Sequence, residues 1–289
     1  MRQPRGFLAP KARSPRLQSE GTEMGQTRAI IIGLALVLGQ TAVSYAADLG
    51  LPLPEPEPCV GCAGPWYLKG FVGAANPDVD GIFAEEFRFN DFTVHHKDIK
   101  STPLFGLGFG YDTGHYFRFD LTGEYRGSAV FLAEDSFPAG FDFPGGTNEY
   151  TADIESWVGL ANVYIDLGTW HCVTPYVGGG VGFASIDVIG LKDVNVPNAS
   201  VAFAKDNTET NFAWALYAGL AYKVTPGLTI DLSYRYTDLG DARAGQTTTF
   251  DGASTGKGLL IEDITSNDVM LGVRFALGAQ PAPMPVAFK

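Results

Sequence analysis

Phe117-Arg-Phe-Asp-Leu-Thr-Gly-Glu-Tyr-Arg-Gly127 is the stretch that decides the fold. In an extended chain successive side chains point to opposite faces. Phe117, Phe119, Leu121 and Tyr125 then share one side, and Arg118, Asp120, Thr122, Glu124 and Arg126 share the other. From Trp66 onward no apolar stripe of helical period competes with this alternation.

The pattern recurs outward from there. In residues 228–238, Leu228, Ile230, Leu232, Tyr234 and Tyr236 oppose Thr229, Asp231, Ser233, Arg235 and Thr237. In residues 269–277, Val269, Leu271, Val273, Phe275 and Leu277 oppose Met270, Gly272, Arg274 and Ala276. In residues 104–112, Phe105, Leu107, Phe109 and Tyr111 oppose three glycines. Weaker strands are expected at residues 66–75, 154–166, 175–187 and 212–224, which brings the total to eight. Their connections alternate in length. Asp112-Thr-Gly-His115, residues 168–174 and Thr225-Pro-Gly227 are turn sequences that close antiparallel hairpins. Residues 76–102, 128–153, 188–211 and 239–267 are long and polar. Short turns at one end and long loops at the other predict an all-β fold, an eight-stranded antiparallel up-and-down transmembrane barrel of the bacterial outer membrane.

Composition agrees with that class. The 289 residues are 45% hydrophobic and 12% aromatic, too apolar for a disordered chain. A net charge of −12 and a pI of about 4.7 exclude nucleic acid as an expected partner. Mean hydropathy is +0.04, high for an acidic soluble protein. The apolar run at residues 29–39 is far shorter than the roughly 20 residues a transmembrane helix needs. It reads instead as the core of a secretory signal, with Arg28 before it and Ser44-Tyr45-Ala46 after it, cleaved after Ala46. Met24 is the expected start and residues 1–46 the leader. Its removal leaves 14 basic and 30 acidic residues, a charge of −16 over 243 residues. Residues 47–65 then form a periplasmic segment containing Leu51-Pro-Leu-Pro-Glu-Pro-Glu-Pro58, residues 66–277 the barrel and residues 278–289 a tail.

A barrel in lipid inverts the faces of a barrel in water, with apolar side chains outside and polar ones in the lumen. Arg118, Asp120, Glu124, Arg126, Asp231, Arg235 and Arg274 carry both signs and are expected to neutralise one another in a narrow lumen. Aromatic residues gather near strand ends. Trp66, Tyr67, Tyr111, Phe117, Tyr222 and Phe275 fall at one level, and Tyr125, Trp157, Trp214, Tyr234 and Tyr236 at the other, as two interfacial girdles require.

Thr174-Pro-Tyr-Val-Gly-Gly-Gly-Val-Gly182, preceded by Ala161-Asn-Val-Tyr-Ile-Asp-Leu167, resembles the central hairpin of the OmpA-like and opacity-type outer-membrane barrels of Gram-negative bacteria. Leu228-Thr-Ile-Asp-Leu-Ser-Tyr-Arg-Tyr236 resembles their penultimate strand, and the nearest group is the alphaproteobacterial outer-membrane surface-antigen, porin-like proteins. The resemblance covers residues 66–277 and implies the fold more than an activity. Relatives end on an aromatic residue that closes the last strand, whereas here Phe275 is followed by residues 278–289.

Few residues point to chemistry. Gly106, Gly108, Gly110, Gly178, Gly179, Gly180 and Gly182 fit no phosphate-binding spacing and are expected to make room in the lumen for Arg118 and Arg235. His95 and His96 fall in a predicted loop, His115 and His171 in predicted turns, so no strand is expected to carry a histidine, and a lipid A-modifying enzyme is disfavoured. Cys59-Val-Gly-Cys62 lacks a βαβ unit and has Ala63 where haem attachment needs histidine. In an oxidising periplasm Cys59 and Cys62 form a local disulfide, or one of them pairs with Cys172. Glu85, Glu86, Glu134, Asp135, Asp78, Asp80, Asp91, Asp98, Asp142, Asp193 and Asp206 make the long connections acidic and solvated. No catalytic, metal or cofactor site is expected.

The function expected is structural: an envelope and surface-antigen role with little conductance, since eight strands leave a lumen just filled by side chains. A small-solute pore and an adhesin acting through the acidic loops are the alternatives. Expected partners are outer-membrane lipid and lipopolysaccharide, the barrel-assembly machinery, and host or environmental surfaces.

Overall fold

A computed structural model describes residues 64–83, 93–139, 145–197, 199–253 and 258–278. The leader, the proline-rich segment to residue 63 with Cys59 and Cys62, Glu85, Glu86, Asp91, Asp142 and the tail beyond residue 278 lie outside the described residues.

The described chain forms β1 (Trp66–Phe83), β2 (Thr93–Ile99), β3 (Thr102–Asp112), β4 (Phe117–Phe137), β5 (Gly146–Asp166), β6 (Val173–Asn195), β7 (Ser200–Ala204), β8 (Asn207–Thr225), β9 (Leu228–Arg243), β10 (Thr247–Thr249) and β11 (Leu260–Ala276). Eight of them close a ring, β1-β3-β4-β5-β6-β8-β9-β11 and back to β1, each antiparallel to both neighbours. These contain the eight strands read from the alternation. The turns after β3, β5 and β8 are tight, and the two ends of the ring meet where Leu277 N–H donates to Trp66 C=O at 2.7 Å. Turns, first strand and last strand thus share one end, which by the short-turn rule faces the periplasm.

The faces invert as expected for lipid. Leu107 and Leu121 are 74% and 65% exposed, whereas Arg118 and Arg235 are 2% and 1% exposed. Phe119, Val163, Val181, Leu216, Leu232 and Leu271 also face outward. Trp66 stacks on Phe109 (ring centroids 5.0 Å apart) and meets Tyr111 edge-on (4.9 Å) at the periplasmic rim. At the opposite rim Tyr125 lies 4.9 Å from Trp157 and Trp214 lies 5.6 Å from Tyr236. There the polar tips reach upward: Tyr125 Oη donates to Glu155 at 2.8 Å and Trp214 Nε1 to Asp238 at 3.1 Å. Phe117 to Tyr125 is nine residues, the length a tilted strand needs to cross the apolar band.

The long connections differ from the loops expected. The walls do not end at the outer aromatic belt: β4, β5 and β6 have 21, 21 and 23 residues, and residues 76–83, 128–137, 146–153 and 188–195 are strand. In this extension the two faces exchange character once more. Ala129, Phe131, Ala133, Ala152, Ile154, Ile186, Val188, Leu191, Ile261 and Ile264 are buried inside, while Glu149, Thr151, Asp153, Thr208 and Thr210 are exposed outside. Water replaces lipid as the surroundings, so burial of apolar area rewards the opposite orientation. On β4 the exchange is made by a bulge, where Arg126 pairs with Ser156 and Ala129 with Ile154, one extra residue on β4. On β1 the ladder to β3 stops at Ala75–Thr102, beside Pro77 and Pro103, which have no N–H to donate. Beyond that point β2 pairs with β4 instead.

Candidate functional site: the charge-filled lumen

Even-numbered residues of β4 from Arg118 to Arg126 point inward, and odd-numbered residues of β9 from Asp231 to Leu239 do, so both strands deliver their charges to the same interior. Three tiers result. Nearest the periplasm, the Arg118 guanidinium forks onto Asp166 (Nε at 2.9–3.0 Å, Nη2 at 2.8 Å) and lies against the rings of Tyr164 and Tyr176, 5.0 and 4.7 Å from their centroids. Beside it Arg274 binds Asp231 at 2.6 and 3.1 Å. In the middle, Asp120 accepts from Asn162 (2.7 Å), Tyr67 (3.1 Å), Tyr164 (3.3 Å) and Lys69 (3.5 Å). At the top, Glu124 and Asp268 each bind both Arg126 and Arg235, at 2.7–3.0 Å.

All seven residues singled out for the lumen face inward and are buried. Three partners escaped the reading: Lys69, Asp166 and Asp268. Lys69 sits in the glycine-rich β1, where alternation is weak, and Asp166 and Asp268 stand at the margins of the expected strands. With them, among the described residues, five cations (Lys69, Arg118, Arg126, Arg235, Arg274) and five anions (Asp120, Glu124, Asp166, Asp231, Asp268) pair in the lumen, and their charges cancel. Burying such charges is costly unless each is paired and hydrogen-bonded, which these are.

Small voids lie between these side chains. A void of about 10 Å³ lies among Lys69, Thr122, Tyr217 and Arg235, and one of about 20 Å³ above Arg126 among Ile154, Ile186 and Ile264. Each has room for about one water. Only at the periplasmic mouth, between Asp112, His115, Asp166, Lys223 and Arg274, does a larger cavity open among these, of about 510 Å³.

Several expectations need correction. Tyr67 is not in the girdle: one residue from Trp66, it faces the lumen and is buried. Trp66, Tyr111, Phe117, Tyr222, Tyr234 and Phe275 are exposed, and Tyr125, Trp214 and Tyr236 half-exposed. The glycines do not clear room for Arg118 and Arg235. Gly106, Gly110 and Gly178 are directly opposite Phe71, Tyr67 and Tyr164 on neighbouring strands, and a Cβ at Gly106 or Gly110 would come within 2.3 Å of the facing ring. Asp135 is fully buried, not solvated. His95 and His96 stand on β2, so a strand does carry histidine. His95 Nε2 lies 2.7 Å from Ser136 Oγ, but among the described residues no carboxylate holds the other ring nitrogen, as a hydrolytic Ser–His pair requires. Cys172 lies in the β5–β6 turn at a φ of 66°, its carbonyl accepting from Lys223 N–H at 2.9 Å.

Comparison with known proteins agrees with this geometry. The chain is 30% identical over 237 residues to an uncharacterised protein of Brucella melitensis, covering 75% of this chain and 83% of that one. It is 25% identical over 181 residues to a candidate adhesin of Rickettsia conorii, covering 62% of this chain and 70% of that one. The solved structure of the outer membrane protein OprG from Pseudomonas aeruginosa aligns with a TM-score of 0.48 at 16% identity, over 77% of this chain and 99% of that one. The profile of the outer membrane protein beta-barrel domain matches residues 61–275, and the chain is a member of that family, located in the bacterial outer membrane.

Proposed function

We propose that this protein is a sealed outer-membrane barrel with a structural role in the envelope, whose extended strands above the membrane act as a surface-contact platform. The observation that carries the first half is the lumen whose charged side chains pair with one another across it, among the described residues. The second half is supported by the extension itself, in which paired strands surround an apolar interior. The likeness to the Rickettsia candidate adhesin favours the same reading. Contact with lipopolysaccharide and delivery by the barrel-assembly machinery belong to this proposal, and catalysis does not.

Reconstitution in planar bilayers tests the seal: no stable open level is expected, and a large, long-lived conductance would overturn it. Expression on a non-adherent bacterium tests the platform. Binding to cells or surfaces is expected to fall when residues 130–152 are replaced by a short turn, provided heat-modifiable gel migration still reports a folded barrel. Equal or absent binding by both forms would refute the contact role and leave the structural one.

A further inference from the structure

The cavity at the periplasmic mouth is polarised. Its volume, about 510 Å³, falls within the roughly 300–1,000 Å³ typical of ligand pockets. One arc of its wall is built by the ends of β3 and β5, which contribute Asp112 and Asp166, with His115 in the turn after β3. The facing arc is built by β8, β9 and β11, which contribute Lys223, Thr229 and Arg274. In the ring β1 and β6 separate these two arcs, so carboxylates and cations confront each other across the opening.

Pairing inside the barrel uses only part of each arc. Arg118 engages both oxygens of Asp166. Arg274 gives Nε and Nη2 to Asp231, which leaves its Nη1 outside that pair. One charge of each sign is left over. The Lys223 ammonium has no partner among the described residues, and the Asp112 carboxylate accepts there only from Gly114 N–H, at 2.8 Å on Oδ1. By parity with the buried Ala221 and Gly110, both side chains point into the mouth. The cationic arc is the more closely organised. Thr229 is opposite Lys223 on one side and Arg274 on the other. Neighbouring strands lie about 4.8 Å apart, so a hydroxyl stands between two cations in a single row.

We propose that the periplasmic mouth binds a short peptide with free ends, its carboxylate held by Lys223, Thr229 and Arg274 and its ammonium by Asp112. Each end then gains charge-assisted hydrogen bonds, while the pairs deeper in the lumen stay intact. A simple anion would meet Asp112 across the cavity, and a simple cation would meet Lys223, so a ligand carrying both charges complements the mouth best. It enters from the periplasm and does not cross the barrel.

Calorimetric titration of the full chain in lipid nanodiscs with trialanine tests this. Trialanine is expected to bind, and its carboxyl-amidated and amino-acetylated forms each to bind about tenfold more weakly, for the loss of one charged contact. Lys223→Gln is expected to erase the preference over the amide and keep that over the acetylated form. Asp112→Asn, which can still accept from Gly114, is expected to do the reverse. Gel migration checks that each variant folds. Absence of trialanine binding to the wild type overturns the proposal, as do equal affinities for the three peptides. Acetate that binds as tightly as trialanine also overturns it, since the mouth would then take any carboxylate. Binding seen only after residues 47–60 are deleted overturns it as well, because the chain's own segment would then be the occupant.

Discussion

Arg235 on β9 and Glu124 on β4 meet across the lumen in two parallel bonds of 2.7 Å, Nη1 to Oε2 and Nη2 to Oε1, between residues 111 positions apart. No ladder joins these strands, for β9 pairs with β8 and β11 while β4 pairs with β2, β3 and β5. The fork is therefore a strut through the middle of the ring. Arg126, bonded to Glu124, and Asp268, bonded to Arg235, bind each other and complete it, so that two guanidiniums face two carboxylates.

Removing one member unbalances the whole. Glu124→Gln keeps the shape but leaves two buried guanidiniums with one carboxylate, and is expected to cost about 3–5 kcal/mol. Glu124→Gln together with Arg235→Gln is expected to cost less than the two single changes added, because neither leaves the other's charge stranded. Urea unfolding in lipid vesicles gives both values. Additive losses would show that the strut contributes nothing as a unit.

The outward face has two regimes separated by the aromatic belt, and arginine substitutions read the boundary. Leu121→Arg and Leu232→Arg place a charge in hydrocarbon and are expected to cost about 2–4 kcal/mol each. Thr210→Arg, on the same outward face but above Trp214, stands in water and is expected to change stability by less than about 0.5 kcal/mol. Folding yield into vesicles, followed by gel migration, distinguishes them. Equal penalties would mean that the band is placed wrongly.

The membrane-crossing strands are legible in sequence because lipid and a charged lumen impose strict alternation, as in Phe117 to Arg126. The extension is not, and β4 shows why. Inward positions are even-numbered through Arg126 and odd-numbered from Ala129, because Gly127 and Ser128 carry the bulge. Apolar residues stay odd-numbered across that slip while the face they line changes, so the pattern gives no sign of it; the apolar, outward Val130 and Leu132 then blur the alternation, and the acidic residues make the remainder read as loop. Tyr67 was misplaced for a related reason: an aromatic near a strand end suits either a girdle or a lumen, and only its parity with Lys69 and Phe71 decides. Clearance by glycine depends on cross-strand register, which Gly106 and Phe71 reveal only once β1 and β3 are paired.

That register makes a contrast among glycines with ordinary backbone angles. Gly110→Ala would drive a methyl into the Tyr67 ring, and Gly106→Ala into the Phe71 ring, at 2.3 Å in each case. Both rings are buried in the lumen, and each change is expected to cost about 1–3 kcal/mol. Gly123→Ala meets nothing within 4 Å on the lipid face and is expected to be neutral. Thermal midpoints by near-ultraviolet circular dichroism report the difference, and a neutral Gly110→Ala would refute the packing.

Phe131 separates the extension from the barrel beneath it. It is fully buried among the apolar residues above the charged tiers, opposite Ile99 on β2 and Ala152 on β5. Phe131→Ala leaves a cavity there and is expected to cost about 3–5 kcal/mol of local stability. The membrane-spanning ladder and its charge pairs make none of these contacts, so the variant should still migrate as a folded barrel. On intact cells, however, an external protease should cleave between residues 128 and 153 where the wild type resists. A variant that fails to form a barrel at all would mean that the two storeys fold as one unit.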